Sequence, residues 1–390
     1  MRSGDAPTAG PRRSLRPLAA ATGVVAALAL AEVLVRALGL TPGSSYLDSS
    51  DAQLLEAWLE RTRSGGLLLA GQDPHPGYGW TNRPGLRDFE EPGHPPRSTN
   101  TAGMRGAEEF ERDRLPERAR IALVGDSFTF GTHQPDERIW AAQLARSLPD
   151  CEVLNFGVPG FGLDQAVLRL EREALDWRPD VVVLGVFATN PVRATRRFTF
   201  FAKPRFGLDS TGALIEPPLG VPVPEPSELL LDPEAWFGAE LPRSHSALWE
   251  LVVPQVAPPA PDVERMTRAL LARAHAACAA RGARLLVLNI PTLRWRELAP
   301  PQWERAYEIL ADLEDAELLD ARDPFDAAVE GSAIGKGSTE KGANGGSTVE
   351  LYIPGRHFSP AGHRVLAAGV SQRLDALGWL DPGDRSTSGR

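Results

Sequence analysis

An apolar run that ends in a tight turn is the feature that most constrains how this chain can fold. Residues 121 to 131 read Ile-Ala-Leu-Val-Gly-Asp-Ser-Phe-Thr-Phe-Gly. The first four residues predict a short buried strand, and Gly125 and Asp126 predict a sharp turn that leaves Ser127 at the strand's carboxyl end. Open α/β sheets bind ligands and carry out chemistry at that edge. Ser127 is therefore a candidate nucleophile.

Further apolar runs alternate with helical patterns after Ser127. The patterns predict strands at 152–155, 181–190, 285–290 and from Leu318, and helices at 137–148, 164–177 and 263–280. Asp164 is expected to cap the second of these helices. Strands that alternate with helices imply right-handed crossovers and a parallel sheet. We therefore predict an α/β fold, a flavodoxin-like three-layer sandwich around a central parallel sheet, with insertions.

Polar residues close the later apolar runs in a recognisable order. The run at 152–155 continues into Asn155-Phe-Gly157-Val-Pro-Gly160, Asn190 ends the next run, and His357 lies in Gly-Arg-His-Phe-Ser-Pro-Ala-Gly-His. Ser, Gly, Asn and His thus follow one another along the chain. In these residues the chain resembles the SGNH (GDSL-type) hydrolase superfamily, whose four sequence blocks are named for them, over roughly residues 95 to 380.

The resemblance implies a role for each block residue. Ser127 would be the nucleophile and His357 the base that removes its proton. The donors of the oxyanion hole would be the backbone N–H groups of Ser127 and Gly157 and the side-chain amide of Asn190. Each residue also has a purely structural interpretation: a capping serine, a turn glycine, and an asparagine that turns the chain at a strand end.

Two positions depart from the family pattern. Pro191 follows Asn190, where the family usually has aspartate. The acid that orients the histidine from two or three residues before it is also missing, because Gly355 and Pro354 occupy those positions. The chain would then use a Ser-His dyad, or another carboxylate would reach His357. Sequence candidates for that carboxylate are Glu350, Asp320 and Asp323.

The N-terminal residues predict export. Arginines at 2, 12, 13 and 16 precede an apolar stretch from 18 to 30, which continues past Glu32 and Arg36 to Leu40. Basic residues stay on the cytoplasmic side of a membrane, so the rest of the chain is expected on the other side. We favour a membrane anchor within residues 1–40 and an extracytoplasmic catalytic domain. The alternative is a signal peptide cleaved after Ala29-Leu-Ala31, which would give a secreted protein.

Composition outlines the remaining segments. Residues 41–115, rich in Gly, Pro and charge, predict an irregular linker that leads into a catalytic domain at 116–380. Two insertions interrupt that domain. The one at about 192–260 is aromatic, and is expected to form either a cap or acyl-binding wall beside Ser127, or a peripheral subdomain. The one at 330–349 is Gly/Ser-rich and predicts a flexible loop, and 381–390 predict a disordered tail.

Several classes of function are disfavoured by the sequence. A net charge of −9 without a long basic run argues against nucleic acid as a partner. No HExxH motif or paired Cys/His spacing predicts a metal, and no cofactor motif is present. Cys151 and Cys278 are expected to be buried thiols rather than a disulfide.

These observations predict a serine esterase that hydrolyses an acyl or acetyl ester, with a small-molecule, lipid or polysaccharide ester as substrate. Two alternatives remain open. An O-acetyltransferase acting on cell-envelope polysaccharide would pass the acyl group from Ser127 to a hydroxyl instead of water. A catalytically silent glycan- or acyl-binding protein would keep the fold without the chemistry, an alternative prompted by the missing acid.

Overall fold

The computed structural model describes residues 16–38, 51–63, 71–113, 117–216, 223–232, 262–331, 351–353 and 357–380. The chain forms two compact units, residues 1–49 with 238–260 and residues 50–237 with 261–390. In the first unit the described part is a single helix, α1 (Arg16–Ala37). Among the residues that the structure describes, no helix combines the length and the apolarity needed to cross a bilayer. The spanning anchor predicted within residues 1–40 stays a prediction.

The second unit alternates strands and helices. Its helices are α2 (Asp51–Arg63), α3 (Ser127–Phe130), α4 (Trp140–Ser147), α5 (Leu163–Arg172), α6 (Asn190–Ala194), α7 (Pro226–Leu231), α8 (Val263–Ala279), α9 (Arg322–Gly331) and α10 (Pro360–Ala376). Its strands are β1 (Gln72–His75), β2 (Gly79–Asn82), β3 (Phe89–Glu91), β4 (His94–Arg97), β5 (Ala119–Val124), β6 (Cys151–Asn155), β7 (Val181–Phe187), β8 (Gly207–Leu208), β9 (Leu214–Ile215), β10 (Arg284–Ile290) and β11 (Ala316–Asp320). Short 3₁₀ helices lie at Asp136–Arg138, Ala174–Trp177 and Gln302–Asp312.

The central sheet has five strands in the order β11-β10-β7-β5-β6, and every neighbouring pair is parallel. Read from the other edge, the order is second, first, third, fourth and fifth in the chain, which is the flavodoxin-like arrangement. Every residue of β5 and β6 is buried, as expected for strands covered by helices on both faces. The predicted fold class is therefore confirmed.

The elements lie where the sequence patterns predict them, but several boundaries differ. The strand predicted at 181–190 ends at Phe187, and Asn190 begins α6. The helix predicted at 164–177 is divided into α5 and a 3₁₀ helix at Ala174–Trp177. The helix predicted at 137–148 is divided into a 3₁₀ turn and α4, which begins at Trp140.

Helix α5 has Gly162 as its N-cap, so the prediction that Asp164 caps it is wrong. The carboxylate of Asp164 is instead completely buried, 2.5 Å from the ammonium of Lys203. The Asp164 side chain forms an ion pair with a distant residue and is therefore not available to cap the helix.

Residues 72–105, predicted to belong to an irregular linker, are folded onto the carboxyl edge of the sheet. The side chains of Trp80 and Met104 are fully buried. The indole N–H of Trp80 donates to the carbonyl of Pro159 at 2.9 Å, and the amide of Arg105 donates to the carbonyl of Asn155 at 2.9 Å. This segment therefore forms part of the surroundings of the loop that follows β6.

The first insertion packs partly against α2. Phe198 and Phe201 are fully buried, and their ring centroids lie 6.2 Å and 5.5 Å from that of Trp58. Residues 217–222 and 233–261 lie outside the described residues. So do most of the loop predicted at 330–349 and the whole of the tail predicted at 381–390. Both cysteines are buried free thiols, as predicted.

Candidate active site

The structure brings Ser127 and His357 together at the carboxyl edge of the sheet. Ser127 is the first residue of α3, directly after β5, and His357 lies three residues before α10. Nε2 of His357 is 2.9 Å from Oγ of Ser127. That distance is within hydrogen-bonding range, so the imidazole is placed to accept the hydroxyl proton.

A steric constraint explains the turn that presents Ser127. A Cβ on Gly125 would lie 2.3 Å from Oγ1 of Thr129 and 2.8 Å from the carbonyl oxygen of Gly185, so only glycine fits. Asp126 is the N-cap of α3, and its Oδ1 accepts the backbone N–H of Phe128 at 2.9 Å. The turn is thereby fixed from both sides, and the serine hydroxyl is left at the strand end.

The Asp126 carboxylate is buried and held by neighbouring donors. Its Oδ2 accepts the side-chain amide of Asn190 at 2.9 Å and lies 3.5 Å from the guanidinium of Arg193. Burial raises the pKa of Asp126, while Arg193 and the hydrogen bond from Asn190 act in the opposite direction. This carboxylate therefore organises the turn before Ser127.

Asn190 is not placed as an oxyanion donor. It is 2% exposed, and its amide nitrogen donates to Oδ2 of Asp126 and to the carbonyl of Phe161, each at 2.9 Å. Its Oδ1 accepts the backbone N–H of Phe187 at 2.6 Å. Both amide hydrogens are thus used within the protein. The resemblance assigns Asn190 to charge stabilisation, but in this structure its side chain holds three segments of the chain together.

Gly157 is not placed as an oxyanion donor either. Its backbone N–H donates to Oδ1 of Asn155 at 2.9 Å. A Cβ on Gly157 would lie only 2.4 Å from the backbone nitrogen of Phe130. Glycine is required here because α3 passes directly over the loop, which is a packing reason and not a chemical one.

Gly160 is the better candidate for a second donor. Among the described residues, no acceptor takes the backbone N–H of Ser127 or of Gly160, which has a φ of +88°. Two residues before Gly160, the backbone N–H of Val158 donates to the carbonyl of Gly125 at 3.0 Å. The loop that contains Gly160 therefore runs alongside the turn before Ser127. Sequence reasoning passed over this residue, although the second glycine of the run 155–160 was a visible signal.

His357 has an unusual environment for a catalytic base. Burial lowers its pKa to about 4, with further lowering by the positive charges of His133, His94 and Arg193. Its Nδ1 is buried and has no hydrogen-bond partner among the described residues. The imidazole is therefore neutral at pH 7 and can accept a proton, but no described carboxylate stabilises the cation that results.

The carboxylates suggested from the sequence do not supply that partner. Asp320 accepts from its neighbour Arg322, with Nε at 2.8 Å from Oδ2. Asp323 lies in the first turn of α9 and makes no hydrogen bond to His357. Glu350 lies outside the described residues, as do 354–356.

Two further histidines line the site. Neither was identified from the sequence. The His94 and His133 rings stack with centroids 4.1 Å apart, and the His133 centroid is 4.8 Å from that of His357. His133 has a φ of +70°, which lies in the left-handed region, and a buried Nδ1 without a partner among the described residues. Neither residue belongs to a motif, so only the fold reveals their proximity.

A cleft of about 170 Å³ lies beside this histidine stack. Most of the residues that line it have polar side chains, but apolar atoms make up the larger part of its surface. The lining residues include Gln72, His94, Arg97, Arg105, His133 and Pro159. Arg97 is paired with Glu91 at 2.7 Å, and Arg105 is paired with Asp136, so the charges of the cleft are largely balanced. Across the described part of the chain, no three His, Cys, Asp or Glu residues are grouped so that they could hold a metal ion.

No family model and no curated protein matches the chain. Among solved structures, it is similar to a GDSL-like lipase from Bacteroides thetaiotaomicron, with 13% identity over 69% of this chain and 93% of that chain and a TM-score of 0.37. It is similar to a lipase/acylhydrolase from Enterococcus faecalis, with 16% identity over 68% and 98% and a TM-score of 0.37. It is also similar to an acetylxylan esterase from Geobacillus stearothermophilus, with 14% identity over 68% and 99% and a TM-score of 0.36. At such values we base function on the Ser127–His357 geometry alone.

Proposed function

We propose that the chain is a serine ester hydrolase of the SGNH type. The observation that carries this proposal is the 2.9 Å contact between Nε2 of His357 and Oγ of Ser127 at the carboxyl edge of the parallel sheet. A serine hydroxyl is a weak nucleophile until a base removes its proton, and a neutral imidazole at this distance can do so.

The reaction proceeds through an acyl-enzyme. Oγ of Ser127 attacks the ester carbonyl while its proton moves to Nε2 of His357. The N–H groups of Ser127 and Gly160 donate to the oxygen that becomes negative. His357 then gives its proton to the departing alkoxide, which leaves as the alcohol. Water attacks the acyl-enzyme, with His357 first accepting and then returning a proton, so that the acid and free Ser127 are released.

The surroundings of His357 predict slow turnover. In serine hydrolases that have a triad, loss of the orienting acid lowers turnover by about 10⁴-fold, because the imidazole is no longer held in the required tautomer. Here Nδ1 of His357 has no partner among the described residues, and burial lowers the pKa to about 4. We therefore expect a Ser-His dyad that is weaker than a full triad.

The cleft beside the histidine stack suits a polar alcohol. The leaving oxygen must reach Nε2 of His357 to receive a proton, so the alcohol of the ester has to lie on the His357 side of the carbonyl carbon. On that side are His133, His94 and the cleft, most of whose lining residues have polar side chains. Stacked imidazole rings and paired side chains fit a hydroxyl-rich group better than an alkyl chain.

Fluorophosphonate labelling tests the proposal directly. The probe needs an activated serine but no knowledge of the natural ester. We expect the full chain to be labelled, and labelling to be lost in Ser127→Ala and His357→Ala. Ser147→Ala on α4, whose hydroxyl bonds only to its own helix at Leu144, is the matched control and should be labelled normally. Absence of labelling in the folded wild-type chain would overturn the proposal and favour a silent binding protein.

A second candidate is an O-acetyltransferase that acts on polysaccharide. The cleft beside His94 and His133 offers polar side chains, such as Gln72 and Gln134, that could hold the hydroxyl group of an acceptor in place of water. The distinguishing measurement is mass spectrometry of a neutral oligosaccharide incubated with the protein and an activated acetyl ester. Acceptor acetylation that exceeds release of free acetate would favour the transferase, and acetate alone would favour the hydrolase.

We also propose that the chain works outside the cytoplasm. The support is the cluster of arginines that precedes the apolar segment beginning at residue 18. Fusion of residues 1–50 to a reporter that is active only after export would test this. An inactive reporter would contradict it, and fractionation of an active fusion would separate a retained segment from a cleaved signal peptide.

A further inference from the structure

We propose that Phe200 closes the acyl side of this site, so that the enzyme takes esters of short acyl groups such as acetyl and excludes longer chains. This inference rests on the proposed ester hydrolysis and adds its substrate class. In this proposal Phe200, which belongs to the first insertion, sets the maximum length of the acyl chain.

The direction of the acyl chain follows from the geometry of the tetrahedral intermediate. The carbonyl carbon bonded to Ser127 Oγ carries three other groups: the oxyanion, the alcohol oxygen and the acyl chain. The oxyanion points at the free N–H groups of Ser127 and Gly160, and the alcohol oxygen lies on the His357 side. The acyl chain must therefore leave on a third side, away from both His357 and the oxyanion, and we place that side next to the ring that packs on Gly160.

Phe200 lies against the loop that contains Gly160. A Cβ placed on Gly160 would be 2.5 Å from Cδ2 of the Phe200 ring and 3.2 Å from Cζ2 of Trp80, so the two rings enclose the glycine. The guanidinium of Arg193 lies over the Phe200 ring, 5.3 Å from its centroid, and is itself linked to Asp126 before the nucleophile. The ring is thus connected to both sides of the reacting centre.

Phe200 is at the tip of a turn, and its neighbours in the chain anchor it. Residues Phe198 and Ala202 pair across the turn, and the amide of Thr199 donates to the carbonyl of Phe201 at 3.1 Å. Directly after the turn, Lys203 is completely buried against Asp164. Phe200 itself remains 37% exposed. An aromatic ring fixed in this way forms a wall that a longer chain would have to displace.

The test compares p-nitrophenyl acetate with p-nitrophenyl octanoate. We expect the wild-type chain to prefer acetate, and Phe200→Ala to raise kcat/KM for octanoate relative to acetate by about tenfold or more, because a removed ring admits several methylene groups. Phe200→Trp should shift the ratio the other way when acetate is compared with butyrate. Ile215→Ala, an exposed apolar residue in the same insertion, is the matched control and should leave the ratio unchanged.

The outcomes separate this inference from the proposal beneath it. If the wild-type chain is labelled but Phe200→Ala has the same ratio of kcat/KM for acetate to kcat/KM for octanoate, the role of Phe200 is overturned and ester hydrolysis still stands. A ratio that changes as much in Ile215→Ala would also overturn it. A wild-type chain that takes no fluorophosphonate and hydrolyses neither ester would overturn both.

Discussion

The side-chain amide of Asn190 donates to the buried carboxylate of Asp126, with 2.9 Å between the two heavy atoms. The same nitrogen donates to the carbonyl of Phe161, and the amide oxygen accepts the N–H of Phe187. One side chain thus joins the turn before Ser127, the loop after β6 and the end of β7. The residue holds the carboxyl edge of the sheet in shape, and Ser127 depends on that shape.

Replacing Asn190 should therefore affect stability first. We expect Asn190→Ala to lower the free energy of unfolding by about 1–3 kcal/mol, because the N–H of Phe187 loses its acceptor while Oδ2 of Asp126 and the carbonyl of Phe161 keep only Arg193 as a donor among the described residues. Urea denaturation measures this, with Thr195→Ala at the end of α6 as a control. If Asn190→Ala kept full stability but lost 10²–10³-fold in kcat, the amide would be an oxyanion donor in the transition state, and our placement of it would be wrong.

Gly160 should be intolerant of any side chain because of Phe200. Gly160→Ala adds a Cβ where ring atoms are 2.5 Å away, whereas Gly93→Ala, at a φ of +81°, meets nothing within 4 Å. Both variants carry the backbone cost of a positive φ, about 1 kcal/mol. We expect Gly160→Ala to lower the melting temperature clearly more than Gly93→Ala.

A double variant that removes the Phe200 ring tests whether this contact causes the loss. Adding Phe200→Ala to Gly160→Ala should restore part of the lost melting temperature, since the added methyl group then has room. Equal melting temperatures for Gly160→Ala and Gly93→Ala, or additive losses in the double variant, would contradict the contact between ring and glycine.

The pH dependence of activity should follow the lowered pKa of His357. The neutral imidazole is the active form, so kcat/KM should persist well below pH 6.5 and fall with a midpoint near the folded pKa of about 4. His133→Asn removes a positive neighbour and tolerates the left-handed backbone, so it should move the acid limb upward. The exposed His275→Asn is the control. A wild-type midpoint near 6.5 would contradict this prediction.

The free energy of unfolding should also fall as the pH is lowered. His357 and His363, whose pKa burial lowers to about 3, are neutral when folded but take up protons near pH 6.5 when unfolded. Their contribution is fully present above pH 6.5 and is lost as the pH falls from 6.5 towards the folded values. Denaturation series at several pH values should show this fall, and His363→Gln should reduce it.

The buried pair of Lys203 and Asp164 should be costly to break from one side. Lys203→Met leaves the Asp164 carboxyl buried without its cation, and we expect a loss of about 3–5 kcal/mol in the free energy of unfolding. The double variant Lys203→Met/Asp164→Leu should recover much of that loss. Arg305→Met, which removes a 65% exposed partner of Glu264, should cost under about 1 kcal/mol. Similar losses in Lys203→Met and Arg305→Met would show that the buried pair contributes little.

Most of the sheet could be predicted from the sequence. Strands β5, β6, β7, β10 and β11 are apolar runs bounded by turns, and their alternation with helices restricts the topology to few arrangements. The proximity of Ser127 and His357 was predicted from the resemblance to the SGNH blocks, and the two side chains lie 2.9 Å apart. The misplaced residues were Gly157, Asn190 and Asp164, where the residue type fits a local role but tertiary partners compete for it.

The sequence by itself determined the α/β class and a parallel sheet of flavodoxin-like character, because hydrophobic periodicity is a local signal. Its resemblance to the SGNH blocks predicted that Ser127 and His357 would lie together. Only the tertiary structure decided which groups are free to act. The backbone N–H of Gly157 donates to Asn155 and the amide of Asn190 donates to Asp126, and Phe200 lies against Gly160, forty residues earlier in the chain. A donor's availability and a wall's position depend on contacts between distant segments, which no local pattern encodes.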